Sequence, residues 1–222
     1  EVLAIIKKAH KKIYLIEDSA NSIKSKYYSK YCGNLGDIGL FSLDANKVIT
    51  TGTGGVLTTN DPEIYKKAQI VRFYGLKPNI ASGYDAMRAR RERWWEIELE
   101  YPGNRYLIND ITSSIALAQM KKLDKHIQIR KKIWHEYNRK FKNIPLLTTP
   151  KPPPSKTTSS YYFYWIRIKN ELQQLDLANH LVKNGIYTTF RYYPLHKITY
   201  YKSKQKLPNS ELISQTTLNL PL

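Results

Sequence analysis

Lys47 stands in the run Phe41-Ser42-Leu43-Asp44-Ala45-Asn46-Lys47, shortly before Thr50-Thr51-Gly52-Thr53-Gly54-Gly55. Upstream, the apolar stretch Ile13-Tyr14-Leu15-Ile16 closes on Glu17-Asp18. A lysine amine condenses with an aldehyde to form an imine. A carboxylate beside a pyridine nitrogen keeps that nitrogen protonated and makes the ring an electron sink. An acid that ends a strand, followed by a lysine before a glycine turn, is therefore a pattern suited to holding pyridoxal 5'-phosphate. The glycine run has neither the Gly-Lys-Ser/Thr ending of a nucleotide loop nor the spacing of a dinucleotide fingerprint. Its expected role is a tight turn that lets the backbone pass close to the lysine.

These residues need a sheet to carry them. Apolar residues at helical spacing predict a helix over residues 2–12. Short strands are expected over 13–16, 38–43, 56–59 and 71–74, with a loop and short hairpin over 19–34. Asn60-Asp61-Pro62 caps a helix that runs to about residue 70, since aspartate caps and proline suits a first turn. Residues 76–100 form a long charged connection, a kind usually functional. Helical patterning occupies 108–126 and continues through 142. Four prolines within 150–154 mark a domain boundary. Beyond them a strand over 161–168, a helix over 172–184 stopped at Gly185, and a strand over 186–190 are expected. Strands alternating with helices give an α/β class, and neither end of the chain has the character of a domain edge.

Composition narrows the function classes. The chain has 222 residues, 41% hydrophobic, with no apolar run long enough to span a membrane and no basic-then-apolar leader. A single cysteine, Cys32, excludes a disulfide framework and fits a reducing compartment, the cytoplasm. The formal charge of +18 suits an anionic partner or a lysine-rich solvated surface. It is dispersed rather than blocked. The one concentration, Arg88 to Trp95, mixes arginine with tryptophan, which could stack on single-stranded nucleic acid or pack at a subunit interface. His10, His126, His135 and His180 have no metal-ligand spacing and Cys32 has no partner, so no metal is expected.

Six segments in one order then carry a resemblance: Ile16-Glu17-Asp18-Ser19-Ala20-Asn21; Gly33-Asn34-Leu35-Gly36-Asp37-Ile38-Gly39; Phe41-Ser42 through Lys47 to Gly55; Tyr101-Pro102-Gly103-Asn104-Arg105-Tyr106-Leu107-Ile108-Asn109-Asp110 with Ala116-Leu117-Ala118-Gln119; Thr188-Thr189-Phe190-Arg191-Tyr192-Tyr193-Pro194-Leu195-His196; and Leu207-Pro208-Asn209. The chain resembles the sugar-nucleotide aminotransferases of the DegT/DnrJ/EryC1/StrS type. That resemblance implies part of an aspartate aminotransferase-like (fold type I) large domain, followed by a smaller α+β C-terminal domain. Residues 1–150 would be the C-terminal part of the cofactor-binding domain plus interdomain helices, and 151–222 an incomplete small domain. Such relatives are longer, so the chain would be a fragment lacking an N-terminal part and a C-terminal tail.

The resemblance also implies roles. Lys47 would form the imine with pyridoxal 5'-phosphate and Asp18 would pair with its ring nitrogen. Ser42 would hold the cofactor phosphate. Asn21 falls where the family has glutamine or histidine near the phenolic oxygen, and is shorter. Arg105 takes the place of an asparagine that reaches the phosphate of the partner subunit's cofactor, a task a guanidinium performs with two parallel hydrogen bonds. Leu107 and Thr53 depart from the family's polar residues. Arg191 and His196 lie in the loop that borders the substrate. The implied reaction moves an amino group from an amino acid, glutamate, to a nucleotide-linked keto-sugar, in a homodimer with no nucleic-acid or membrane partner. The runner-up is a catalytically silent or regulatory relative. A sugar dehydratase of the same family would replace the lysine with histidine, and Lys47 is present.

Overall fold

The computed structural model describes residues 2–76 and 98–222. The Arg88 to Trp95 cluster lies outside them. The chain divides into two compact units, Glu1–Lys122 and Leu123–Leu222.

The first unit is built on a small mixed sheet. After helix α1 (Val2–Lys7) come β1 (Ile16–Asp18), a hairpin of β2 (Lys26–Tyr27) and β3 (Lys30–Tyr31), then β4 (Ile38–Ser42) and β5 (Gly55–Thr58). β4 is central, parallel to β1 and antiparallel to β5. The expected buried strand over 13–16 starts later than its apolar run. Ile13, Tyr14 and Ile16 are exposed on the sheet's edge, and Leu15 is tied to the β4 end by its N–H donating to Asp37 Oδ2 at 2.7 Å. Helix α2 (Pro62–Val71) begins as its sequence requires: Asp61 Oδ1 accepts from the Glu63 and Ile64 amides at 2.8 and 3.2 Å, with Pro62 in the first turn. Residues 71–74 do not form the expected strand. The helix continues to Val71, and Tyr74 takes a φ of 57° that breaks extended geometry. Gly75 then approaches the incoming chain so closely that a Cβ there would sit 1.6 Å from the Tyr101 carbonyl oxygen. Residues 99–106 pair with 72–76 around this crossing, through bridges Phe73 to Arg105 and Leu76 to Leu99.

Helix α3 (Asp110–Phe141) has 32 residues with no glycine or proline, and reads from sequence as one element. Asn109 Oδ1 caps it by accepting from Thr112 N at 2.9 Å.

In the second unit, β6 (Thr157–Thr158), β7 (Tyr164–Arg167), α4 (Glu171–Lys183), two 3-10 turns, α5 (Pro208–Thr216) and β8 (Thr217–Leu220) follow. β7 and β8 pair antiparallel, Tyr164 opposite Leu220 and Ile166 opposite Leu218. Alternation puts Tyr164, Ile166 and Leu218 on one face. There they meet Trp134 of α3 and Ala178 of α4 in the core. The Trp134 ring stands edge-on to Tyr161 and Tyr164, each at 5.7 Å. Burial pushes the Tyr164 phenol up to about 12, and its hydroxyl donates to Asn138 Oδ1 at 2.7 Å. Arg130, partly buried, donates to the carbonyls of Tyr161, Tyr162 and Leu222 at 3.0, 2.8 and 3.3 Å. Gly185 ends α4 with φ 75°. The strand expected over 186–190 reduces to one bridge, Thr189 to Asn219. Its neighbours Ile186, Tyr187 and Phe190 are exposed and have no face to bury.

Candidate active site

β1 and β4 run parallel with Asp18 opposite Leu40, so their carboxyl ends share one edge of the sheet. Asp18 closes β1, Ser42 closes β4, and Lys47 follows in the next turn. Loops leaving parallel strands converge at that edge, where ligands of α/β sheets gather. Here they meet through one bond: Lys47 Nζ donates to Asn21 Oδ1 at 2.7 Å. Three of the expected site residues thus lie on the loops of one edge together with the fourth, Ser42. Asp18 is exposed, and its Oδ1 accepts from Ala20 N at 3.1 Å.

The turn that presents Lys47 is fixed by its own polar atoms. Ser42 Oγ accepts from Asp44 N at 3.3 Å, Asp44 Oδ1 from Asn46 N at 3.1 Å, and the Asp44 carbonyl from Lys47 N at 3.0 Å. The Asn46 amide holds the Asp44 carboxyl below the usual carboxylate range. Buried Leu43 and Ile49 anchor the base of the loop. Leu43 N donates to the Gly54 carbonyl and Thr51 N to the Leu43 carbonyl, both at 2.9 Å. The glycine turn closes the loop against β5, and Gly54 has φ 146°.

One positioning residue escaped the sequence. Glu17 precedes Asp18 on β1, so its side chain takes the opposite face. Its carboxylate accepts from the amides of Gly33, Leu35 and Gly36 at 2.9, 2.5 and 2.7 Å. The Gly33-Asn34-Leu35-Gly36 segment is a loop wrapped around that carboxylate. A glycine-bounded segment following a strand-end acid pair is the signal that could have found it.

The remaining expected residues are placed as follows. Arg105 is exposed, and its guanidinium makes no hydrogen bond or ion pair among the described residues. The Arg191 guanidinium lies over the rings of Phe163 and Tyr192, 5.6 and 5.8 Å from their centroids. The His196 side chain is 8% exposed, with Nε2 3.0 Å from Glu211 Oε1. Lys197 Nζ lies 3.0 Å from Glu211 Oε2, and Leu207 N donates to Oε1 at 3.2 Å. His196, then Lys197, then the Leu207 amide bring the Glu211 carboxyl down to about 2. Expected to border the substrate, His196 is here a clip between the 3-10 turn and α5. Among the described residues no cluster of metal-ligating side chains occurs.

The model of the DegT/DnrJ/EryC1/StrS aminotransferase family matches residues 1–222. The chain belongs to this family. The chain is 37% identical over 223 residues to a dTDP-4-dehydro-2,3,6-trideoxy-D-glucose 4-aminotransferase of Saccharopolyspora spinosa, covering 100% of the chain and 57% of the relative. To the GDP-perosamine synthase of Escherichia coli O157:H7 it is 31% identical over 210 residues, 94% of the chain and 53% of the relative. Among solved structures it matches the aminotransferase TlmJ of Streptoalloteichus hindustanus with a TM-score of 0.81 and 36% identity, over 95% of the chain and 53% of TlmJ. The putative sugar aminotransferase Spr1654 of Streptococcus pneumoniae, solved in a PLP-form, matches with a TM-score of 0.81 and 25% identity, over 97% and 54% of the two chains. The aspartate aminotransferase-like α/β fold expected for a DegT/DnrJ/EryC1/StrS member is thereby established. This member spans about half the length of the curated relatives it matches.

Proposed function

We propose that this chain carries the lysine-bearing part of a pyridoxal 5'-phosphate-dependent aminotransferase that moves an amino group from an amino acid, glutamate, to a nucleotide-linked keto-sugar. The observation that supports it most is the Lys47 to Asn21 bond, which joins the loop after β1 to the loop after β4 at 2.7 Å. The donor set on that edge fits the cofactor: an amine for an aldehyde, a carboxylate for a ring nitrogen, and a hydroxyl at a strand end for a phosphate. When bound, pyridoxal phosphate supplies the aldehyde and a ring that accepts an electron pair.

The chain's own residues then have distinct tasks. Lys47 Nζ anchors the cofactor and, when released, holds and moves a proton as general acid and base. Asn21 Oδ1 orients that amine. Asp18 keeps a positive charge at the ring nitrogen, and Ser42 takes the phosphate. Glu17 fixes the β1 end without touching the ligand. Arg105 is assigned to the partner subunit's cofactor, and Arg191 to the anionic acceptor. His196 holds the substrate loop in place through Glu211. In this reading residues 1–150 belong to the cofactor domain and its interdomain helix, and 151–222 to an incomplete small domain.

A homodimer is part of the proposal. Exposed Ile111, Leu117 and Met120 on the first half of α3 (75, 67 and 50% exposed) support it. The free thiol of Cys32 suits a reducing compartment such as the cytoplasm. No described helix is long and apolar enough to cross a membrane.

The deciding test is direct. Pyridoxal phosphate added to the chain should give absorbance near the visible edge, and borohydride should fix the label on Lys47, read by peptide mapping. A label spread over surface lysines, with none on Lys47, would end this proposal. Sedimentation of the chain reads the dimer separately, and a monomer at high concentration removes that part alone.

A further inference from the structure

The bond between Lys47 and Asn21 joins one fixed group to one free one. Asn21 sits on a tied turn. Ser19 is buried, and its N–H donates to the carbonyls of Leu40 on β4 and of Glu17, at 2.9 and 3.0 Å. Ser22 N donates back to the Ser19 carbonyl at 2.9 Å, and Ala20 N to Asp18 Oδ1 at 3.1 Å. An asparagine side chain has only two torsions, so the turn fixes where its amide can stand. Lys47 also leaves a held turn, but a flexible four-carbon stem separates its backbone from its amine. Nζ therefore comes to Oδ1, at 2.7 Å, with both side chains half-buried. A lysine ammonium offers donors alone, which sets the amide with its oxygen toward the amine.

We propose that Asn21 is the resting acceptor of the Lys47 amine: it holds Nζ while that nitrogen carries no aldehyde and releases it when one is attached. The contact stands by itself; the identity of the aldehyde rests on the aminotransferase reading above. In the condensation the nitrogen's lone pair forms the new C=N bond, and the aldehyde oxygen leaves as water with the amine's two hydrogens. The imine nitrogen then has no hydrogen to give to Oδ1. The bond and the imine exclude one another, so the bond's stability opposes the imine. That opposition has a use in group transfer. A lysine that anchors by an imine and later acts as a proton carrier must leave its link and return to it in each cycle. An attached state far more stable than the released one would stop the cycle. Asn21 narrows that gap and keeps the freed amine at the edge that carries Asp18 and Ser42, not in solvent. A carboxylate in its place would overshoot, because a bond between two charged groups is about twice as strong as one between neutral groups.

The test compares wild type, Asn21→Ala and Asn21→Asp as full chains with two aldehydes. Formaldehyde with cyanoborohydride needs no cofactor site. Pyridoxal 5'-phosphate is titrated by its absorbance near the visible edge. Peptide mapping reads Lys47 against the exposed Lys204 and Lys206 of the same sample. Asn21→Ala should methylate Lys47 about five- to tenfold faster than wild type, and Asn21→Asp slower by a similar factor, with both reference lysines unchanged. Half-saturation with pyridoxal phosphate should fall in the alanine variant and rise in the aspartate variant by like factors. A variant that merely misfolds would move both substitutions in one direction, so the opposite signs are the signature; urea midpoints check the fold of each. Lys47 methylated at the wild-type rate in Asn21→Ala, or slowed in both variants, overturns the proposal. Graded methylation without a pyridoxal phosphate imine keeps Asn21 as the resting acceptor and ends the aminotransferase reading. An imine on Lys47 that is indifferent to residue 21 does the reverse.

Discussion

The loop that carries Lys47 and the turn that carries His196 were expected to do similar work, and they are built in opposite ways. Lys47 sits at the end of a parallel strand pair, half-buried, with its amine bonded to a neutral amide from the neighbouring loop. A neutral amide orients an amine without adding a counter-charge to it. His196 is almost fully covered, and its Nε2 faces the Glu211 carboxylate, which also takes Lys197 and a backbone amide. Every partner of that carboxylate belongs to one closed cluster, which ties the 3-10 turn to α5. Two side chains of similar chemical promise thus differ in partner: a neutral amide for Lys47 and a carboxylate for His196. The Lys47 loop follows a strand's carboxyl end, the place where ligands of α/β sheets gather, and the His196 turn does not.

The comparison breaks most directly at Lys47. Lys47→Ala should abolish the borohydride-fixed label and lower amino transfer by the loaded protein by roughly 10²–10⁴, while thermal stability moves by less than about 0.5 kcal/mol. A large loss of stability instead would make Lys47 a structural residue like His196. Next in size is Glu17→Ala. It leaves three amides of the 33–36 loop without their acceptor and should destabilise the first unit by about 2–3 kcal/mol in urea unfolding. Its effect on labelling should follow stability only. His196→Ala should show the reverse of the lysine variant: a thermal midpoint lower by about 2–4 °C with Lys47 labelling at the wild-type rate. The smallest effect is in acid. The Glu211 carboxyl titrates at about 2 in the folded chain against 4.5 when unperturbed. The unfolded chain therefore binds this proton first, and the clip's contribution is whole above the unperturbed value and disappears as pH falls through the folded one. Thermal midpoints of wild type and Glu211→Gln should converge as pH drops across that window; a constant gap would show that the carboxylate is not what holds the turn.

Much of this was legible before any coordinates. Lys47, Asp18 and Ser42 stand in a local run whose order is itself the signal, and the structure sets their strands parallel. The helix over 110–141 follows from a stretch without breakers. Asp61-Pro62 starts α2 where those residues must. Expectations failed where a partner at long range decides. An apolar run predicted a strand over 13–16, yet pairing began at Ile16, opposite Ile38. Val71 to Tyr74 was drawn into the helix end and the Gly75 crossing. The strand over 186–190 found only one paired residue on β8.

The sequence alone determined the chemistry on offer: an amine, an acid and a hydroxyl in an order that places them at or just beyond strand ends, plus the family to which the chain belongs. It could do so because residue type and local spacing set strand ends, caps and reactive groups. Tertiary structure alone decided which groups are committed. It bonded Asn21 to Lys47, turned Glu17 to the other face to bind a loop, closed Glu211 over His196, and gathered Arg167 and Arg191 beside three rings. Each of those contacts joins residues on different elements, and their distance in space follows from strand register and packing rather than from spacing along the chain.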